Sequence, residues 1–237
     1  MMTGPSRRRA RTIPLNEGRG RRMMKVVSLQ LALQSAILAI VFVAAARAED
    51  TAAVSKQAVQ AKVKYCEVCH GPSGQGFQGY YPIPRLAGQQ AEYIKNQLQA
   101  FVERRRVNPI MFNVAHVLSP AMQTALAMNF NELNPKPFGG APKELVATGK
   151  KIFEEGVPNT DVPPCASCHG PQAKGDGEFP RLAGQLPDYI FKKLTNWSKE
   201  RGQNPAKPDT SAIMQPIAHS LTEPQIKAVA AYLSYLE

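Results

Sequence analysis

"CEVCHGPSGQG", residues 66 to 76, sets Cys66 and Cys69 two residues apart and places His70 directly after the second thiol. "CASCHGPQAKGDG", residues 165 to 177, repeats the arrangement with Cys165, Cys168 and His169, and these are the only four cysteines in 237 residues. Two thiols at this spacing can add to the vinyl groups of a haem, and the adjacent imidazole is then held where its nitrogen can ligate the iron. A four-cysteine zinc site is an alternative, but it gives neither histidine a role and must join pairs 99 residues apart. A redox dithiol calls for a thioredoxin-like βαβ pattern, which is missing. The motif therefore implies two covalently bound haem c groups, with their iron.

Outward from the cysteines the chain repeats itself. "PRLAGQ" occurs at residues 84–89 and again at 180–185, an offset of 96. The same offset pairs Tyr93-Ile94 with Tyr189-Ile190, Leu98 with Leu194, Phe101 with Trp197 and Asn108-Pro109 with Asn204-Pro205. Between the copies, "NELNPKPFGGAP" at 131–142 has the Pro and Gly of a linker. The expected domains are 49–137 and 138–237.

Each copy reads as helical. "QAEYIKNQLQAFVERR" from Gln90 and "PDYIFKKLTNWSKE" from Pro187 carry their apolar residues at helical spacing. Ser119-Pro120 and Thr222 are helix-start signals for a closing helix in each copy. A further helix is expected ahead of each cysteine pair, in "SKQAVQAKVKY" and "KELVATGKKIFEEG". No segment alternates like a strand, so the class is all-α. Units of about 90 residues with short helices have little apolar surface for a core, and a large flat haem fills that role.

The N-terminus is a separate matter. Residues 26–46 are apolar, follow Arg19, Arg21, Arg22 and Lys25, and end at Ala46-Arg47-Ala48. This is the pattern of a cleaved secretory signal over 1–48, the alternative being an uncleaved membrane anchor; residues 1–22 read as an over-long start before Met23 or Met24. Removing this segment takes nine basic and one acidic side chain from a chain of net charge +11, leaving +3. The basic character thus belongs to the leader and implies no nucleic-acid partner. "ERRR" at 103–106 remains, read as a solvated face or as a docking patch for an acidic partner.

A sixth iron ligand is expected from further along each copy. Met111 lies eight residues before Ser119, and Met214 eight before Thr222, each in an expected loop. Met122 and Met128 read as inward-facing core. His116 and His219, each five residues after its methionine, are the alternative ligands.

Taken together, these residues resemble the class I c-type cytochromes and, in duplicated form, the dihaem cytochrome c4 family, over essentially all of the chain after the leader. The resemblance implies two tandem class I cytochrome c-like domains. It implies that His70, Met111, His169 and Met214 ligate iron, that the carbonyls of Pro84 and Pro180 receive the proximal histidines, that Leu86 and Leu182 pack on haem, and that Arg85 and Arg181 meet the propionates. Two departures stand out: His116 and His219, where small apolar residues are expected, and loops of unequal length at 75–83 and 203–213. The implied function is single-electron transfer in the periplasm, from a quinol-oxidising complex or periplasmic dehydrogenase to a terminal oxidase or other acceptor, with peripheral membrane association as an option. A dihaem peroxidase and a permanent cytochrome subunit of a dehydrogenase are the alternatives.

Overall fold

In the computed structural model the described residues are 54–207 and 210–237; the leader expected at 1–48 lies outside them. Among the described residues the two copies form ten α-helices, and the only β-structure there is four isolated bridges. The first copy contributes α1 Lys56–His70, α2 Ala91–Val102, α3 Pro109–Ala115 and α4 Pro120–Asn131. The second contributes α5 Val146–Glu155, α6 Ala166–His169, α7 Pro187–Thr195, α8 Trp197–Glu200, α9 Ser211–Ser220 and α10 Glu223–Ser234.

Local chemistry sets where these helices begin. Ser55 accepts from the Ala58 N–H at 3.2 Å, and Ser119 from the Met122 N–H at 3.2 Å with Pro120 at the first helical position. Thr222 forms a capping box, its own N–H donating to Gln225 Oε1 at 2.8 Å. Asn108 accepts from the Met111 N–H at 3.0 Å with Pro109 behind it, so α3 nucleates where a loop is expected. Met111 accordingly sits in α3 and Met214 in α9, and the loop assignment of both is corrected. A second correction concerns the helix from Pro187, which breaks at Asn196. Its side chain donates to the Lys192 carbonyl at 3.1 Å, competing with the backbone for helical acceptors.

Packing is separate in each copy. In the first, α4 rests on α1 and α2 around Val63, Ile94, Leu118, Leu126, Ala127 and Phe130. In the second, α10 crosses α5 and α7 around Ile152, Phe153, Ile190, Val229 and Leu233. The α5–α10 crossing is close enough to require glycine: a Cβ on Gly149 would stand 1.9 Å from the Ala228 carbonyl oxygen. Met122 packs on the first core as expected, but Met128 is 56% exposed; its place on α4 turns it outward, correcting the inward assignment.

What joins the copies is polar. Arg106 and Arg201 form an antiparallel bridge, and the Val107 N–H donates to the Glu200 carbonyl at 2.9 Å. Arg106 donates to Gln97 Oε1 and to the Tyr189 hydroxyl, both at 2.8 Å, while Arg201 reaches Gln97 and, at 3.3 Å, the Tyr93 hydroxyl. Each guanidinium also covers an aromatic ring, Arg106 that of Phe101 and Arg201 that of Trp197. Arg105 and Arg106 are buried here, so "ERRR" is for the most part neither a solvated face nor an exposed docking patch. The cost of burying two guanidiniums is offset by acceptors that converge from both copies.

Candidate haem sites

Each Cys-x-x-Cys-His run delivers its histidine to one environment. His70 is the last residue of α1 and His169 the last of α6, and both are buried. A glycine follows each; Gly71 has φ +74°, and a Cβ there would stand 2.4 Å from the Gly76 carbonyl oxygen. That left-handed turn folds the chain back so that the Gly76 N–H donates to the His70 carbonyl at 2.7 Å. The returning chain brings Pro84 to the first ring and Pro180 to the second. His70 Nδ1 lies 2.9 Å from the Pro84 oxygen and His169 Nδ1 2.9 Å from the Pro180 oxygen. A carbonyl only accepts, so Nδ1 carries the proton and Nε2 keeps its lone pair. Burial lowers the pKa of both imidazoles, only partly opposed by the carbonyl hydrogen bond, which keeps that lone pair free at neutral pH.

An apolar cavity is lined mainly by the second copy, with Pro84, Leu86 and Tyr93 of the first completing it. Cys165, Cys168 and His169 lie on its wall together with Pro180, Leu182 and Met214. Burial pushes the Cys165 thiol up to about 11 and raises that of Cys66. At the rim Arg201 Nε is buried with no partner among the described residues, a donor left over for an anionic group. Thiols, a free imidazole nitrogen, apolar walls and a spare donor fit a haem with its carboxylates.

Other expected site residues are placed as follows. Leu86 and Leu182 pack beside the first and second cores. Arg85 donates to the Ala87 and Pro135 carbonyls at 3.1 and 2.7 Å and to Asn134 Oδ1 at 3.3 Å; Arg181 donates to the Ala183 carbonyl at 3.1 Å and to Asn134 at 3.5 Å. These bonds tie both guanidiniums to the linker and the turns beside it, while Arg85 Nη1 is buried with no partner among the described residues, a second donor left over for an anionic group. Burial and the facing Arg181 draw Arg85 down to about 10. His116 is exposed and stacks on Phe112 with its Nδ1 3.0 Å from the Phe112 oxygen, and exposed His219 pairs with Ser198. Sequence reasoning missed the arginine–tyrosine cluster. The 96-residue offset sets Arg105, not Arg106, against Arg201, so the repeat did not signal it.

The cytochrome c family profile matches residues 55–135 and again 146–237. The chain belongs to the cytochrome c family, in the two-domain form of the cytochromes c4. It is 41% identical over 177 residues to cytochrome c-552 of Acidithiobacillus ferridurans, covering 72% of this chain and 73% of that one. It is 36% identical over 174 residues to the thiosulfate dehydrogenase electron acceptor of Thiomonas intermedia, covering 71% and 77%. The solved cytochrome c4 of Acidithiobacillus ferrooxidans superposes with a TM-score of 0.62 at 40% identity, over 73% of this chain and 99% of that one. The protein is an electron-transfer protein that carries two covalently bound haem c groups in tandem all-α domains.

Proposed function

We propose that the protein relays single electrons in the periplasm between a respiratory donor and an oxidase or other acceptor, after export on a leader spanning residues 1–48. Its two domains span residues 49–137 and 138–237. Cys66 and Cys69 hold one haem, Cys165 and Cys168 the other. His70 and Met111 would ligate the first iron, and His169 and Met214 the second. Haem supplies a one-electron iron couple, and a thioether ligand with burial raises its potential. The chain's residues do the rest. Pro84 and Pro180 orient the imidazoles, Leu86 and Leu182 exclude water, and the second wall carries Met214. The observation that carries this reading is the pair of His–Pro hydrogen bonds, both 2.9 Å, in two sites of otherwise different construction.

A histidine and a methionine together would leave the iron no position for a substrate, and such a pair would favour a carrier over a peroxidase. The exposed positions of His116 and His219 support methionine as the sixth ligand. Among the described residues no helix is long and apolar enough to cross a membrane. The likeness to a thiosulfate dehydrogenase electron acceptor favours a periplasmic dehydrogenase as the donor, with this chain as its acceptor or subunit.

The test is replacement of each methionine. Met111→Ala or Met214→Ala is expected to remove half of the near-infrared methionine-to-iron absorbance, open one iron to cyanide and lower that haem's potential. Unchanged absorbance in both variants, or its loss in His116→Ala or His219→Ala, overturns the ligand assignment. Wild-type turnover of peroxide at a high-spin haem overturns the carrier.

A further inference from the structure

The last residue of each "PRLAGQ" segment is a buried glutamine whose carboxamide is spent across the domain boundary. Gln185 Oε1 accepts from the Arg85 N–H at 2.9 Å, and its Nε2 donates to the Arg85 carbonyl at 3.0 Å. Gln89 returns the contact: its Oε1 accepts from the Arg181 N–H at 2.7 Å and its Nε2 donates to the Arg181 carbonyl at 2.9 Å. Each Oε1 also accepts a neighbouring N–H, from Gln90 at 2.9 Å and Leu186 at 3.1 Å. Two donors on the oxygen and one acceptor at the nitrogen leave each amide a single orientation.

The Arg85 N–H belongs to the same peptide unit as the Pro84 carbonyl, and that carbonyl receives His70. Likewise the Arg181 N–H is the other end of the peptide whose oxygen receives His169. A peptide that donates through its N–H becomes a better acceptor at its oxygen, because chained hydrogen bonds polarise one another. A stronger acceptor draws the Nδ1 proton away and makes the imidazole a more basic ligand, the usual effect of a partner behind a metal-bound histidine. A more basic ligand favours ferric iron and lowers the potential.

We propose that Gln89 and Gln185 are positioning residues for the proximal histidine of the opposite domain, Gln185 acting on His70 through the Pro84–Arg85 peptide and Gln89 on His169 through the Pro180–Arg181 peptide. Each haem is thereby tuned from the other domain. This rests on His70 and His169 being the proximal ligands. If the glutamines only fastened the domains together, their loss would disturb both haems alike.

The experiment uses the full holoprotein in a redox titration that follows each haem by its own methyl resonances in NMR. Gln185→Leu removes the acceptor from the Arg85 N–H and is expected to raise the first-domain haem's potential. At fixed ambient potential its reduced-to-oxidised ratio rises roughly threefold, the scale of a 10–30% change in one such bond, while the second haem moves less. Gln89→Leu gives the mirror result. Gln185→Glu keeps an oxygen on that N–H as a stronger acceptor and is expected to lower the first haem more than the second; this arm stands even if the leucine variant does not accumulate. Equal shifts in both haems, a larger shift in the glutamine's own domain, or no shift overturns the proposal. Haem count by mass and the near-infrared band, measured on the same samples, test ligation itself and can fail independently of the crossed shift.

Discussion

The two domains reach the same histidine geometry by different routes. In the first, α1 runs unbroken from Lys56 through both cysteines to His70. In the second, α5 stops at Glu155 before Gly156, a loop closed by a Val157–Val162 bridge intervenes, and a single turn, α6, carries Cys168 and His169. The return segments differ as well. Tyr80 and Tyr81 stand 91% and 69% exposed on the first, whereas on the second Phe179 meets the His169 ring edge-on with centroids 6.5 Å apart. Yet both Nδ1–O distances are 2.9 Å. What holds the imidazole is therefore the turn after it and the proline carbonyl beneath it, not the helix that leads in.

The comparison breaks most sharply at Gly149, because α1 contains no glycine. Gly149→Ala is expected to wedge α5 from α10 and to cost about 3 kcal/mol. The loss should appear as early thermal melting of the second domain's haem absorbance while the first domain's persists; simultaneous melting would show that the two domains unfold as one.

A smaller and symmetrical effect is expected at Asn134, whose side-chain oxygen serves Arg85 and Arg181 together. Asn134→Ala removes that acceptor and should cost about 1 kcal/mol. Thermal denaturation should find both domains lowered alike; a change confined to one would mean that only one arginine depends on the linker.

The smallest effect is a pH dependence. Hydrogen bonds from Arg105 and Lys207, at 2.7 and 2.9 Å, hold Glu103 below its ordinary carboxylate pKa. A depressed folded-state value means the contribution is complete above the unfolded pKa and is lost as pH falls through the folded one. Glu103→Gln should therefore lower stability slightly at neutral pH and leave it unchanged below the folded pKa, which flattens the acid limb; the effect is small because the Lys207 partner is exposed.

Much of this was legible in the chain. The cysteine motifs, the 96-residue repeat and the caps at Ser119 and Thr222 are local patterns, and each led to the observed fold. Met111 was legible as a position but not as a helix, because the Asn108-Pro109 start signal precedes only seven helical residues. The buried arginines were not legible: a run of three reads as surface unless the Tyr189, Gln97 and Tyr93 acceptors are known to converge from both copies. Arg85 and Arg181 were read by motif alone, and only the fold reveals that Asn134 and Pro135 of the linker lie within reach of their guanidiniums.

The contacts between the domains come in exchanged pairs: Gln89 to Arg181 with Gln185 to Arg85, and Arg106 to Tyr189 with Arg201 to Tyr93. This is the isologous pattern of a two-fold dimer, in which a patch meets its own copy. The linker makes such a dimer covalent, and the two copies are then released from having to stay identical. The exchanged bonds form a fixed seam on either side of which the halves differ, one with a longer lead-in and the other with exposed tyrosines, while the grip between them is kept.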